Sequence, residues 1–283
     1  MDRKDLLRQG MQAATDLRDE LDLDPFGPSE PYHAAERLGV KVRFLDTSME
    51  GFYFKQASGS ILLSSLRPVP RRAFTCAHEL GHHVFGHGST IDQLQEDERP
   101  DSGKPDEVLA NAFAAFFLMP SVGLRGAFAR RGWNAAAATP LQVFIVASQF
   151  GVGYVTLINH LSYTLGDISA VRRTELARWT PQRIRRQLLE DEYDSFIVVD
   201  QHNEAATFDV EKGAAVLLPL DVKVGGEALE YVRSLEEFEL YRAAKRGAAT
   251  VTGSGEPFEV RVMPNGYVGP AANRFLEDPD EQD

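Results

Sequence analysis

The order of apolar and polar positions outlines the chain before any composition is counted. Over 4–21, Leu6, Leu7, Met11, Ala14 and Leu17 recur at helical spacing and predict an amphipathic helix. DPFGPSEP (24–31) reads as a Pro/Gly loop, with Ser29 placed to cap a short helix from Pro31 to Leu38 that Gly39 ends. Alternation over Val40–Leu45 predicts a strand, and Phe52–Lys55 and Ile61–Ser64 predict two more around the turn QASGS. A long helix then runs from about Pro70 to Phe85, where Gly86 and Gly88 are natural stops. Residues 89–104 are polar and acidic and read as a loop. Pro105 opens a second strong helix, Pro120 terminates it, and Ser121–Arg131 predicts another.

Residues 139–165 read as two short helices around FGVGY, the appearance of a helix–turn–helix unit. From Thr180 the texture changes. A short basic helix, RIRRQLLE, precedes predicted strands at 196–200, 206–210, 215–220 and 258–263, with a helix predicted over 227–244. The last residues, EDPDEQD, read as a disordered acidic tail.

Composition narrows the function classes. The 283 residues are 43% hydrophobic and 25% charged, as in a folded globular protein. No run approaches the roughly 18 apolar residues of a membrane helix, and the charged N-terminus is not a secretory signal, so a cytoplasmic protein with no membrane partner is expected. The net charge of -12 is uneven: residues 180–283 carry -10 of it. An acidic C-terminal third repels a phosphate backbone. Residues 139–173 add only Arg172 and Arg173 as cations, so DNA is not an expected partner. The single cysteine, Cys76, excludes an internal disulfide and a cysteine-based zinc cage, and reads as a small buried residue.

Four of the seven histidines fall between 78 and 87, in Ala77-His78-Glu79-Leu80-Gly81-His82-His83-Val84-Phe85-Gly86-His87. His78, Glu79 and His82 form His-Glu-x-x-His. On a helix, residues four apart share a face, so both imidazoles can converge on one ion, while Glu79 can reach a water beside it without being a ligand. A catalytic site of this kind needs a third protein ligand and an open position. Asp92, Glu96, Asp97, Glu98 and Asp101 lie in the polar loop, whereas Asp106 and Glu107 sit in the first turn of the next helix, where the dipole favours a carboxylate. Asn111 lies one turn after Glu107 and can orient it. Small Ala110 and Ala114 let that helix approach the histidine helix. His83 and His87 are not positioned to join the same triad and read as supporting or surface residues. His33, His160 and His202 are isolated.

The pair RRAFTCAHELGHH (71–83) and EVLANAFAAFFLMP (107–120) resembles the ImmA/IrrE family of metallopeptidases. The resemblance covers roughly 30–135 and does not extend securely to 180–283. It implies that His78, His82 and Glu107 are the metal ligands, with zinc as the ion and manganese as the alternative, and that Glu79 is the catalytic residue. It also implies a specific protein substrate, a helix–turn–helix repressor cleaved in stress response or mobile-element regulation. The expected class is then α+β. Residues 1–137 form a small zincin-like metallopeptidase domain, with a short β-meander plus the helices that carry the motif and Glu107. A helix–turn–helix-like segment (138–179) follows, then an acidic C-terminal α/β region (180–283) of unassigned fold, sensor or regulatory in role. Ile61, Leu62, Leu63 and Ser64, just before the motif helix, are expected to be an edge strand that pairs with extended substrate. Tyr53 and His83 are candidates for the oxyanion donor. Two other classes remain: a DNA-binding regulator with a vestigial metal site, and a non-enzymatic sensor or sequestering protein.

Overall fold

The computed structural model describes residues 2–55, 59–88, 90–92, 104–190, 192–253 and 255–276, with the backbone alone for Thr90–Asp92. The centre of the expected QASGS turn, the loop candidates Glu96, Asp97, Glu98 and Asp101, and the acidic tail lie outside the described residues. The chain divides into two units, and the first takes residues up to Gly123 together with Gly266–Arg274.

In the first unit, α1 (Arg3–Glu20) and α2 (Pro31–Arg37) precede β1 (Lys41–Leu45), β2 (Gly51–Phe54) and β3 (Ser60–Ser64). The long helix α3 (Val69–Val84), the short strand β4 (Thr90–Asp92) and α4 (Pro105–Leu118) follow, and the boundary between the units falls within α5 (Ser121–Arg130). Ser29 does not cap α2; its hydroxyl donates to the Phe117 carbonyl at 2.7 Å. The Arg18 guanidinium, 3% exposed, donates to the carbonyls of Phe117 (2.5 Å), Gly27 (2.7 Å) and Asp24, and so ties α1, α4 and the Pro/Gly loop together. A Cβ at Gly10 would fall 2.5 Å from Ala112 Cβ, so α1 and α4 meet at a position where only glycine fits.

The sheet has the order Gly269–Pro270, β1, β3, β2, β4. β3 pairs parallel with β1 and antiparallel with β2, and β2 pairs antiparallel with β4. This corrects the expectation for Ile61, Leu62, Leu63 and Ser64. They lie in a central strand with neighbours on both sides, so their backbone is not an edge that substrate can join. Among the described residues the edges are β4 and Gly269–Pro270. The latter pairs with β1 as Arg43↔Pro270 and Phe44↔Gly269. Just beyond it, Arg274 is 1% exposed, pairs with Glu30 at 2.5 Å, donates to the Ala271 carbonyl at 2.7 Å and sits over the Tyr32 ring. Residues more than two hundred positions from α2 thus complete its sheet.

The stretch Pro105–Arg130 corrects a second expectation: by length and composition it is apolar enough to cross a membrane. It is mostly buried within the protein and breaks into α4 and α5 at Met119–Pro120, as a core element does.

The second unit begins at Leu124. Its helices are α6 (Pro140–Gln149), α7 (Tyr154–Asn159), α8 (Ala170–Ala177) and α9 (Pro181–Leu188). Thr139 and Gln142 close a capping box at the start of α6. α6 and the helical run Tyr154–Thr164 meet at 102°. The strands β5 (Phe196–Val198), β6 (Thr207–Glu211), β7 (Ala215–Pro219), β8 (Lys223–Gly225), β9 (Leu229–Ser234), β10 (Phe238–Ala243), β11 (Gly247–Thr252) and β12 (Phe258–Met263) form two sheets, ordered β5-β7-β10-β9 and β6-β12-β11-β8. Val216, Leu218, Tyr241, Val251, Val260 and Val262 share one core. The predicted helix over 227–244 is therefore a correction: it is the antiparallel pair β9–β10, with Glu239 opposite Ser234 and Ala243 opposite Leu229. Its Glu, Leu and Ala content favours helix locally, but burying Leu240, Tyr241 and Ala243 against β7 favours the extended form.

Candidate metal centre

The centre is built from two helices with unusually close access to each other. Arg72, 3% exposed, donates to the Ser65 carbonyl at 2.6 Å and to the Arg67 carbonyl, which anchors the start of α3 to the end of β3. One and a half turns further on, His78, Glu79 and His82 are each fully buried. At Gly81 a Cβ would lie 3.1 Å from Ala110 Cα and 3.1 Å from Phe113 Cδ1, so the absent side chain lets α4 press onto α3. That contact brings the first turn of α4 to the histidines.

His78, His82 and Glu107 offer one donor atom each within 4.8 Å of one another. His78 Nε2 is 3.1 Å from His82 Nε2, and Glu107 places Oε2 3.4 Å from the first and Oε1 3.6 Å from the second. Four donors held tetrahedrally at zinc–nitrogen or zinc–oxygen distances sit about 3.3 Å apart. The spacing therefore fits a cation between the three atoms. Protonation points the same way. His78 Nδ1 is 3.1 Å from Asn111 Oδ1, an acceptor, so Nδ1 carries the hydrogen and the Nε2 lone pair faces His82 and Glu107. A buried cluster of facing lone pairs and a carboxylate is stable only around positive charge. The neighbouring His78 and His82 imidazoles hold the Glu107 carboxyl well below the usual carboxylate range, against the opposing effect of burial. Asn111 thus orients His78, not Glu107 as its spacing suggested.

Glu79 sets its carboxylate against Gly51 of β2. A Cβ on Gly51 would fall 2.3 Å from Thr75 Cγ2 and 3.2 Å from Glu79 Oε1, so Gly51 makes the space that the Glu79 carboxylate occupies. Tyr53 and His83 are hydrogen-bonded to each other, Oη to Nδ1 at 2.8 Å. Burial raises the Tyr53 pKa and lowers that of His83, with Lys55 adding to the latter.

His87, read from the sequence as a supporting or surface residue, pairs with Asp106. His87 Nδ1 is 2.8 Å from His82 Nδ1, and His87 Nε2 is 3.4 Å from Asp106 Oδ1. Burial lowers the His87 pKa and Asp106 partly offsets it. Reading α3 as a straight cylinder put His87 beyond reach; the signal that could have found it was Gly86, whose φ of +70° turns the chain back. Asp92 contributes backbone only to the description, Cys76 is fully buried, and among the described residues no second group of this kind occurs.

Comparison with known proteins places this centre inside a matched region. Residues 35–162 match the family model Peptidase_M78, described as IrrE N-terminal-like domain. No curated protein matches the chain. Among solved structures, a Mycobacterium tuberculosis transcriptional regulator is 19% identical, with a TM-score of 0.36 over 57% of this chain and 52% of that one. The chain thus spans about half the length of that regulator.

Proposed function

We propose, from the premise that residues 35–162 form an IrrE N-terminal-like domain of a peptidase family, that the chain is a metal-dependent endopeptidase. The observation that carries the reading is the spacing of the His78, His82 and Glu107 donor atoms, 3.1, 3.4 and 3.6 Å. His78, His82 and Glu107 would hold a zinc or manganese ion, which would supply Lewis acidity to the reaction. The residues do the rest. Glu79 takes a proton from the attacking water and delivers it to the leaving amine. Asn111 holds the His78 ring in the tautomer that presents Nε2. Glu107 stays anionic because the neighbouring imidazoles hold its carboxyl below the usual carboxylate range.

Substrate backbone is best received at β4. Its outer edge has no strand neighbour among the described residues, and its register sets Asp92 opposite Gly51, the residue that abuts Glu79. An extended peptide added there lies level with the catalytic carboxylate. The substrate class is a helix–turn–helix repressor, as the family resemblance implies. The 102° angle between α6 and the following helical run supports keeping 138–179 as a helix–turn–helix-like segment, with protein docking as its role.

The test is co-incubation of the zinc- or manganese-loaded protein with a panel of helix–turn–helix repressors, with fragments read by mass spectrometry. Cleavage of one repressor by wild type, lost in Glu79→Gln with metal still bound, is expected. A wild-type protein that takes up no metal overturns the reading and moves the DNA-binding or sequestering classes forward.

A further inference from the structure

The end of α3 carries a second use of histidine. Gly86 adopts φ +70°, the Gly86 amide donates to the His83 carbonyl at 3.0 Å, and the His87 amide donates to the His82 carbonyl at 2.9 Å. These are the two bonds of a Schellman motif, in which the residue after the glycine folds back onto the residue five before it. An apolar pair ordinarily fills that contact. Here it is filled by two imidazoles, their Nδ1 atoms 2.8 Å apart and their ring centroids 5.0 Å apart.

Only one assignment of hydrogens suits both rings and the triad. His82 must keep its Nε2 lone pair toward His78 and Glu107, so its hydrogen is on Nδ1. That hydrogen is donated to His87 Nδ1, which must then be unprotonated. The His87 hydrogen is consequently on Nε2, which lies 3.4 Å from Asp106 Oδ1. Asp106 adjoins Glu107 in the first turn of α4, so one turn of helix supplies both a donor to the triad and the carboxylate that terminates the chain of rings. The His87 side chain is 12% exposed and Asp106 is 65% exposed, so the chain runs from the buried centre to solvent.

We propose that His87, held by the Gly86 turn and oriented by Asp106, is a positioning residue that fixes the tautomer and ring orientation of His82, as Asn111 does for His78. The inference rests on the metal-centre reading above. It differs from it in being read from ring protonation and metal affinity rather than from cleavage. A ring whose outward nitrogen has a fixed partner is a better ligand than one free to change tautomer, and loss of such a partner typically costs about 10- to 100-fold in metal affinity.

Two measurements test it. The first is a long-range proton–nitrogen correlation spectrum of histidine-labelled, zinc-loaded protein. Wild type is expected to show His82 protonated on Nδ1 and His87 on Nε2, and His87→Ala to show His82 as a tautomer mixture. The second is the zinc dissociation constant by chelator competition. His87→Ala is expected to weaken binding about 10- to 100-fold, His87→Gln to recover most of it because the amide oxygen accepts the same hydrogen, and Asp106→Asn to lose less than His87→Ala. A wild-type His82 protonated on Nε2, or His87→Ala binding zinc within about twofold of wild type, overturns the inference. A wild type that takes up no zinc overturns the metallopeptidase reading and this inference with it, whereas zinc uptake that His87→Ala leaves intact overturns this inference alone.

Discussion

Gly81 on α3 and Ala110 on α4 are in backbone-level contact: a Cβ on the first would stand 3.1 Å from Cα and 3.3 Å from the carbonyl oxygen of the second. Glu107 lies one turn before Ala110, so this contact sets how far its carboxylate reaches toward His78 and His82. Gly81→Val is expected to destabilise the fold by about 1–3 kcal/mol through overpacking. It should also weaken metal binding. Urea unfolding of metal-free protein and a metal titration would separate the two effects. A Gly81→Val protein that binds metal like wild type would show that the helix contact does not govern the triad.

Glu79→Gln keeps the size of the side chain and removes its proton-accepting power. Turnover is expected to fall by about 10²- to 10⁴-fold, with bound metal unchanged. Gly51→Ala acts on the same carboxylate from the other side, by pushing Thr75 and Glu79, and should lower turnover while sparing metal content. Elemental analysis beside a cleavage assay reads both. Loss of metal in Glu79→Gln would assign Glu79 to the ligand set instead.

Metal removal should expose how much of the first unit depends on the ion. Without a cation the Nε2 atoms of His78 and His82 face each other at 3.1 Å beside a carboxylate, which is a repulsive arrangement of lone pairs. Free metal at a hundred times its dissociation constant should stabilise the fold by about 2.7 kcal/mol. The gain should vanish on acidification, because protons compete with the ion for both imidazoles. Calorimetry with metal and with chelator would check this; identical melting in the two would mean that the site does not bind the native protein.

Cys76 is fully buried, and burial raises its thiol pKa, with nearby Arg274 opposing only in part. The thiol therefore stays neutral in the folded state and unreactive. Native protein at mildly alkaline pH is expected to resist iodoacetamide, and urea-unfolded protein to take up one label. Rapid labelling of the native protein would contradict the burial.

The parts of the centre that were legible in the sequence are those set by helical periodicity. His78 and His82 stand one turn apart, Glu107 sits in a first turn opened by Pro105, and small Gly81, Ala110 and Ala114 mark where helices approach. Illegible parts depend on chain reversals or on partners remote in sequence. His87 joins through a left-handed glycine, which removes it from the periodic count. Ile61–Ser64 looks like any strand before a helix, and only pairing with both β1 and β2 shows it to be central. The β9–β10 hairpin is rich in helix formers, and its extended form is decided by burial of Leu240 and Ala243, which no local window contains.

The strand Gly269–Pro270 has a consequence for how the protein is made. It belongs to the sheet that supports α3, yet residues 124–265 of the second unit are translated before it. A ribosome adds about 5–20 residues per second, and units generally fold in the order they emerge. Here the candidate centre emerges early, but β1 lacks its outer neighbour, and Glu30 and Tyr32 lack the Arg274 guanidinium, until residues 269–274 leave the exit tunnel. The sheet beneath α3 is therefore finished only after the strands β5 to β12 have been made, and a nascent chain carries the candidate ligands well before it carries the completed scaffold.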